Sequence, residues 1–86
     1  MYQVLFSKSV EKFLATQQKR NRKLFSRLMD AFDEISDDPH KATVLTGNLK
    51  GYYSYRVGDY RILFEVDKRQ SLLYVEKIEH RREVYR

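Results

Sequence analysis

The stretch that most constrains the fold is Tyr52 to Val66, in which two β-rich runs flank the pair Gly58-Asp59. A two-residue loop of this kind predicts a hairpin, because glycine accepts the positive φ that primed turns require. The loop then sets the register. Val57 faces Tyr60, and the next pairs are Arg56 with Arg61, Tyr55 with Ile62, Ser54 with Leu63 and Tyr53 with Phe64. Side chains alternate faces along a strand, so Val57, Tyr55, Tyr53, Tyr60, Ile62 and Phe64 share one face, which reads as core. The other face sets two guanidinium groups directly opposite each other, which destabilises a sheet unless an anion lies between them. A phosphate is such an anion.

Upstream, Tyr2 to Ser7 reads as a short strand, with Ser7 or Ser9 available as a helix cap. Val10, Phe13 and Leu14 recur at helical spacing, predicting an amphipathic helix over Ser9 to Lys19. Asn21 can cap a second helix whose apolar positions Leu24, Leu28, Ala31 and Ile35 repeat every three or four residues, widened by Phe25, Met29 and Phe32. It should end near Asp37-Asp38-Pro39, since the residue before proline avoids the helical region. The two helices form an antiparallel hairpin able to cover one face of a sheet.

Pro39 to Thr46 is expected to be a connection with His40 exposed, and Gly47-Asn48 a turn. After the central hairpin, Asp67 to Gln70 makes a polar turn and Ser71 to Ile78 a further strand. That strand is apolar on both parities, as suits a central position. The expected architecture is α+β, with an N-terminal strand and an antiparallel helix hairpin packed on a mostly antiparallel sheet of about four strands. A chain of 86 residues holds one such domain, 1–86.

Seventeen basic and 12 acidic residues leave a net charge of +5, and the isoelectric point near 9.6 favours a polyanion or an acidic protein as partner. The absence of cysteine excludes disulfides and thiolate chemistry. The two histidines, His40 and His80, are far apart and lack carboxylates at ligand spacing, so neither a metal site nor a cofactor is expected. Val4 to Phe6 is too short for a signal-peptide core, and no apolar run approaches the roughly eighteen residues of a membrane span. The expectation is a soluble, cytoplasmic protein without membrane contact.

Within the helix hairpin, Lys19, Arg20, Arg22, Lys23 and Arg27 cluster at the turn, while Asp30, Asp33, Glu34, Asp37 and Asp38 occupy the end of the second helix. A solvated face is the plain reading. The arrangement nevertheless opposes the helix dipole, which leaves the basic cluster available for gripping an RNA backbone.

Taken together, Leu45-Thr46-Gly47, Arg56-Val57-Gly58-Asp59-Tyr60-Arg61 and the closing His80-Arg81-Arg82-Glu83-Val84-Tyr85 resemble the RelE branch of the RelE/ParE toxin superfamily, over essentially the whole chain. The resemblance implies a toxin of a type II toxin–antitoxin pair. Its activity would be metal-independent cleavage of messenger RNA in the ribosomal A site, by 2′-hydroxyl attack on the adjacent phosphate. The implied partners are a cognate antitoxin, the ribosome and mRNA, with contacts to the rRNA backbone.

Arg61 and Arg81 match the family's phosphate-contacting arginines, and Tyr85 matches its C-terminal tyrosine, which can stack on a base or take part in proton transfer. Arg56 joins Arg61 in holding the phosphate, and His80 has the intrinsic chemistry of a proton shuttle. Ser54 stands where some RelE-type enzymes carry a second basic residue beside the one at Arg56. Lys50, Tyr52, Lys77, Arg82, Arg22 and Lys23 complete the set as RNA-binding candidates, with solvation the plainer reading for Lys77 and Arg82. Each site residue has a structural rival: Arg56 and Arg61 paired with Glu65 or Glu76, Tyr85 packing the tail, His80 satisfying a loop. Two other functions compete, a ParE-like gyrase-inhibiting toxin and a non-catalytic basic module that binds RNA or protein.

Overall fold

The computed structural model describes residues 1–84. The chain runs β1 (Gln3–Phe6), α1 (Lys8–Arg20), α2 (Arg22–Asp37), β2 (Thr43–Val44), β3 (Tyr52–Val57), β4 (Tyr60–Asp67), β5 (Leu72–His80) and α3 (Arg81–Val84), with 3-10 turns at Pro39–Lys41 and Gly47–Leu49. The strands form one sheet in the order β1-β5-β4-β3-β2, parallel between β1 and β5 and antiparallel elsewhere.

Local chemistry explains where the two long helices begin. Ser7, not Ser9, caps α1, accepting from the Val10 N–H at 3.3 Å, so the helix begins one residue earlier than the apolar spacing suggests. The same hydroxyl donates to the Glu76 carbonyl at 2.9 Å, tying the helix start to β5. Asn21 caps α2 through the Leu24 N–H at 3.2 Å. The second helix has no acid in its first turn and no base in its last, which is the dipole mismatch expected from the sequence.

Both helices bury their apolar stripes on one face of the sheet. Val10, Leu14, Leu24, Leu28, Ala31, Phe32 and Ile35 pack with Val57, Ile62, Phe64, Leu73 and Val75 in a single core. Tyr53, Tyr55 and Tyr60 border it as half-buried aromatics, with Tyr53 stacked on Phe64 at a centroid distance of 5.5 Å. The apolar hairpin face read from the alternation is therefore the helix-covered face.

The structure adds to the sequence reading at two places. The sheet has five strands rather than about four, because Thr43 and Val44 pair with Ser54 and Tyr53 inside what reads as a connection. A strand this short carries no periodicity of its own and exists only through its neighbour. The last strand also extends to His80, so Glu79 and His80 belong to the sheet and not to the tail. No helix among the described residues is long and apolar enough to cross a membrane.

Candidate nucleic-acid interface

The β3–β4 register is the one the turn dictates: Val57 with Tyr60, Arg56 with Arg61, Tyr55 with Ile62, Ser54 with Leu63 and Tyr53 with Phe64. Gly58 adopts φ +58° while Asp59 stays outside the positive region, the signature of a turn with glycine first. Arg56 and Arg61 thus stand side by side on the face that the helices leave open.

On its other side Arg61 meets Glu79 of β5. Its Nη2 donates to Glu79 Oε1 at 2.7 Å, and the side chains are 28% and 22% exposed. The acidic partner is therefore neither Glu65 nor Glu76, the two carboxylates that hairpin geometry alone suggests. A register shift between Leu63 and Phe64 explains the difference. Phe64 faces Val75, and an unbroken ladder would set Arg61 against Ile78; the bulge moves Glu79 into that place. The Arg61 Nε is buried with no hydrogen-bond partner among the described residues, so the guanidinium keeps an unused donor.

Arg81 opens α3, and its N–H donates to the Asp59 carbonyl at 2.7 Å. That bond fastens the start of the closing helix to the hairpin turn, one rung from Arg56 and Arg61. Lys77 is paired with Leu63 on the next rung of the open face and is exposed. Tyr52 lies further along that face, opposite Glu65, whose charge pushes the phenol above its ordinary value; desolvation and Glu76 add to the effect. The open face is consequently graded, cationic at the turn end and acidic at the Tyr52 end.

His80 is not brought to the arginines. It pairs with Tyr60, one residue out of phase with Glu79, and its ring meets Tyr60 edge-on at 4.9 Å on the side where Tyr60 packs against Phe13. Its Nδ1 accepts from the Arg82 N–H at 3.1 Å, which satisfies the start of α3. Arg22 and Lys23 are exposed in the first turn of α2, and Lys23 lines a groove with Asn21, Arg27 and the hairpin turn on the helix side. Arg82 and Lys50 are exposed, at α3 and after the Gly47–Leu49 turn. Tyr85 falls outside the described residues.

Two residues escaped the sequence reading. Glu79 was hidden by the bulge, which has no signal in a strand apolar on both parities. Arg27 lies over the hairpin turn, so close that a Cβ added to Gly58 would sit 3.2 Å from its Nη1. Its place in a basic cluster was legible, but the partner was not. Among the described residues no three His, Asp or Glu side chains gather as a metal site.

A two-helix layer over one face of a mostly antiparallel sheet, with paired arginines on the other, makes this a small α+β protein. The family described as the ParE toxin of type II toxin–antitoxin systems matches residues 4–85, and the chain belongs to this RelE/ParE superfamily as a RelE-type toxin. Among curated proteins it is 28% identical over 81 residues to Toxin RelG of Mycobacterium tuberculosis, covering 87% of this chain and 93% of that protein. Among solved structures it resembles the RelBE2 toxin–antitoxin complex of Mycobacterium tuberculosis (24% identity, TM-score 0.79, 93% of this chain and 98% of that one). It also resembles the archaeal RelE–RelB complex of Pyrococcus horikoshii (25% identity, TM-score 0.74, 93% and 94%).

Proposed function

We propose that this toxin is a ribosome-dependent endoribonuclease that cleaves mRNA in the A site without metal and is held inactive by a cognate antitoxin. The carrying observation is the pairing of Arg56 with Arg61 on the open face, beside a closing helix whose first residue, Arg81, is fastened to the same turn. A transition state with extra charge on phosphorus needs cations already in place, and arginine supplies planar, permanently charged donors. Arg61 and Arg56 hold the scissile phosphate, Arg81 stabilises developing charge, and Tyr85 orients the nucleotide. Lys77 and Arg82 extend the cationic surface along the backbone of mRNA or rRNA. The antitoxin reading is supported by the two solved structures named above, each of which is a toxin–antitoxin complex.

Primer extension on a translated message tests this. Cuts at fixed codon positions that disappear in Arg61→Ala and Arg81→Ala are the expected result; intact message with halted growth overturns it. The ParE description of the matching family favours a second reading, inhibition of gyrase, for which a supercoiling assay with the purified toxin is the direct check.

A further inference from the structure

The arginine rung supplies cations for the phosphate but no group able to take the proton of the attacking hydroxyl. Arginine does not release its proton in proteins, and His80 lies on the other face of the sheet. Glu79 is the carboxylate that touches the rung. Its Oε1 accepts from Arg61 Nη2 at 2.7 Å, and its side chain stays open to solvent by about a fifth, so further lone pairs can take a second donor.

A carboxylate beside a phosphate-holding guanidinium is unfavourable for phosphate binding alone, since it repels the ligand. It is favourable for transfer of a proton from a hydroxyl adjacent to that phosphate, because the same arginine then orients both acceptor and substrate. The bulge at Leu63/Phe64 brings the carboxylate to this rung, and without it the position opposite Arg61 would hold Ile78. Ser7 supports that geometry by donating to the carbonyl of Glu76, the residue skipped in the pairing.

We infer that Glu79 is the general base of the RNA cleavage proposed for this toxin, a reading on which the inference rests. The Glu79 carboxylate takes the proton of the 2′-hydroxyl as the O2′–P bond forms; the P–O5′ bond breaks, and the departing 5′-oxygen takes a proton from water. The products are a 2′,3′-cyclic phosphate and a 5′-hydroxyl, with Arg61 bridging carboxylate and phosphate throughout. The charged groups around Glu79 are Arg61, which touches it, Arg56 one strand beyond Arg61, and Lys77 and Arg81, two residues before and two after it in sequence. The helices pack on the opposite face.

The test is single-turnover cleavage of message on programmed ribosomes, measured across pH for wild type, Glu79→Gln and Glu79→Ala. Glutamine keeps an oxygen acceptor for Arg61 and removes the basicity together with the negative charge. The expected result is a rate about 10²–10³-fold lower in Glu79→Gln. Its rise with pH on the acid side should be flattened, with ribosome binding no weaker and the melting temperature unchanged, and added formate should partly restore Glu79→Ala. A Glu79→Gln enzyme as fast as wild type, with the same pH slope, overturns the assignment while leaving the nuclease reading intact. So does a faster one that binds RNA more tightly, since it makes Glu79 a screen over Arg61. Wild type that does not cleave at all overturns the nuclease reading and this inference with it.

Discussion

Arg61 is shared between two neighbours of opposite meaning: Arg56 stands opposite it on one side and Glu79 accepts its Nη2 at 2.7 Å on the other. The ion pair offsets the repulsion between the guanidinium groups and fixes the direction in which Arg61 points. Partly exposed pairs of this kind contribute little to stability, typically under about 1 kcal/mol, so the rung is built at small energetic gain.

Arg61→Ala is therefore expected to leave the melting temperature within a few degrees of wild type and to lower single-turnover cleavage by about 10²–10³-fold, the usual effect of removing one preorganised donor. Arg61→Lys should recover only part of the rate, since an ammonium cannot bridge Glu79 and a phosphate in one plane. Cleavage on programmed ribosomes, with thermal unfolding as control, checks both.

Ser7 joins two parts of the fold through one hydroxyl, accepting from Val10 N–H and donating to the Glu76 carbonyl. Ser7→Ala removes a cap and a bond to the strand at its bulge, and should destabilise the protein by about 1–2 kcal/mol in urea unfolding. If Ser7 does position the bulge, cleavage by the folded variant should also fall, and an unchanged rate would restrict Ser7 to helix capping.

At Gly58 the positive φ and the Arg27 guanidinium both oppose a side chain. Gly58→Ala should cost about 1–2 kcal/mol, chiefly from the backbone, because the neighbouring atoms are the movable end of an arginine. A double variant with Arg27→Ala should regain only a small part of that loss, a difference that a thermodynamic cycle reads directly.

Tyr55 donates its hydroxyl to Glu34 of α2, and this bond, with desolvation and the Glu34 charge adding, raises its phenol above the ordinary value of 10.0. The proton is held more tightly in the folded state. The contribution is thus fully present below the unfolded value near 10 and is lost as pH climbs through the higher folded value. Tyr55→Phe should be less stable than wild type by at most about 1 kcal/mol at neutral pH, discounted for solvent screening, and the gap should close above pH 10. Melting curves of both proteins between pH 7 and pH 11 (a range of about 4 units around that titration) show whether it does.

Sequence alone determined what local rules control. The turn at Gly58-Asp59 dictated the pairing of Arg56 with Arg61 and the face of Tyr53, Tyr55 and Tyr60, because a two-residue loop leaves one register and strand alternation does the rest. The helix hairpin came from Leu24, Leu28 and Ile35 at helical spacing, and its caps from Asn21 and from Ser7, one of the two serines able to serve at the start of α1.

Tertiary structure decided what depends on partners far along the chain. β2 exists only where β3 offers it an edge. The bulge arises where β4 meets a strand apolar on both parities, so nothing in Leu72 to Val75 announces which residue is skipped. That one-residue shift chose Glu79 as the neighbour of Arg61, while strand alternation kept His80 on the helix side; the chemistry of the rung was settled by a non-local register that no single segment encodes.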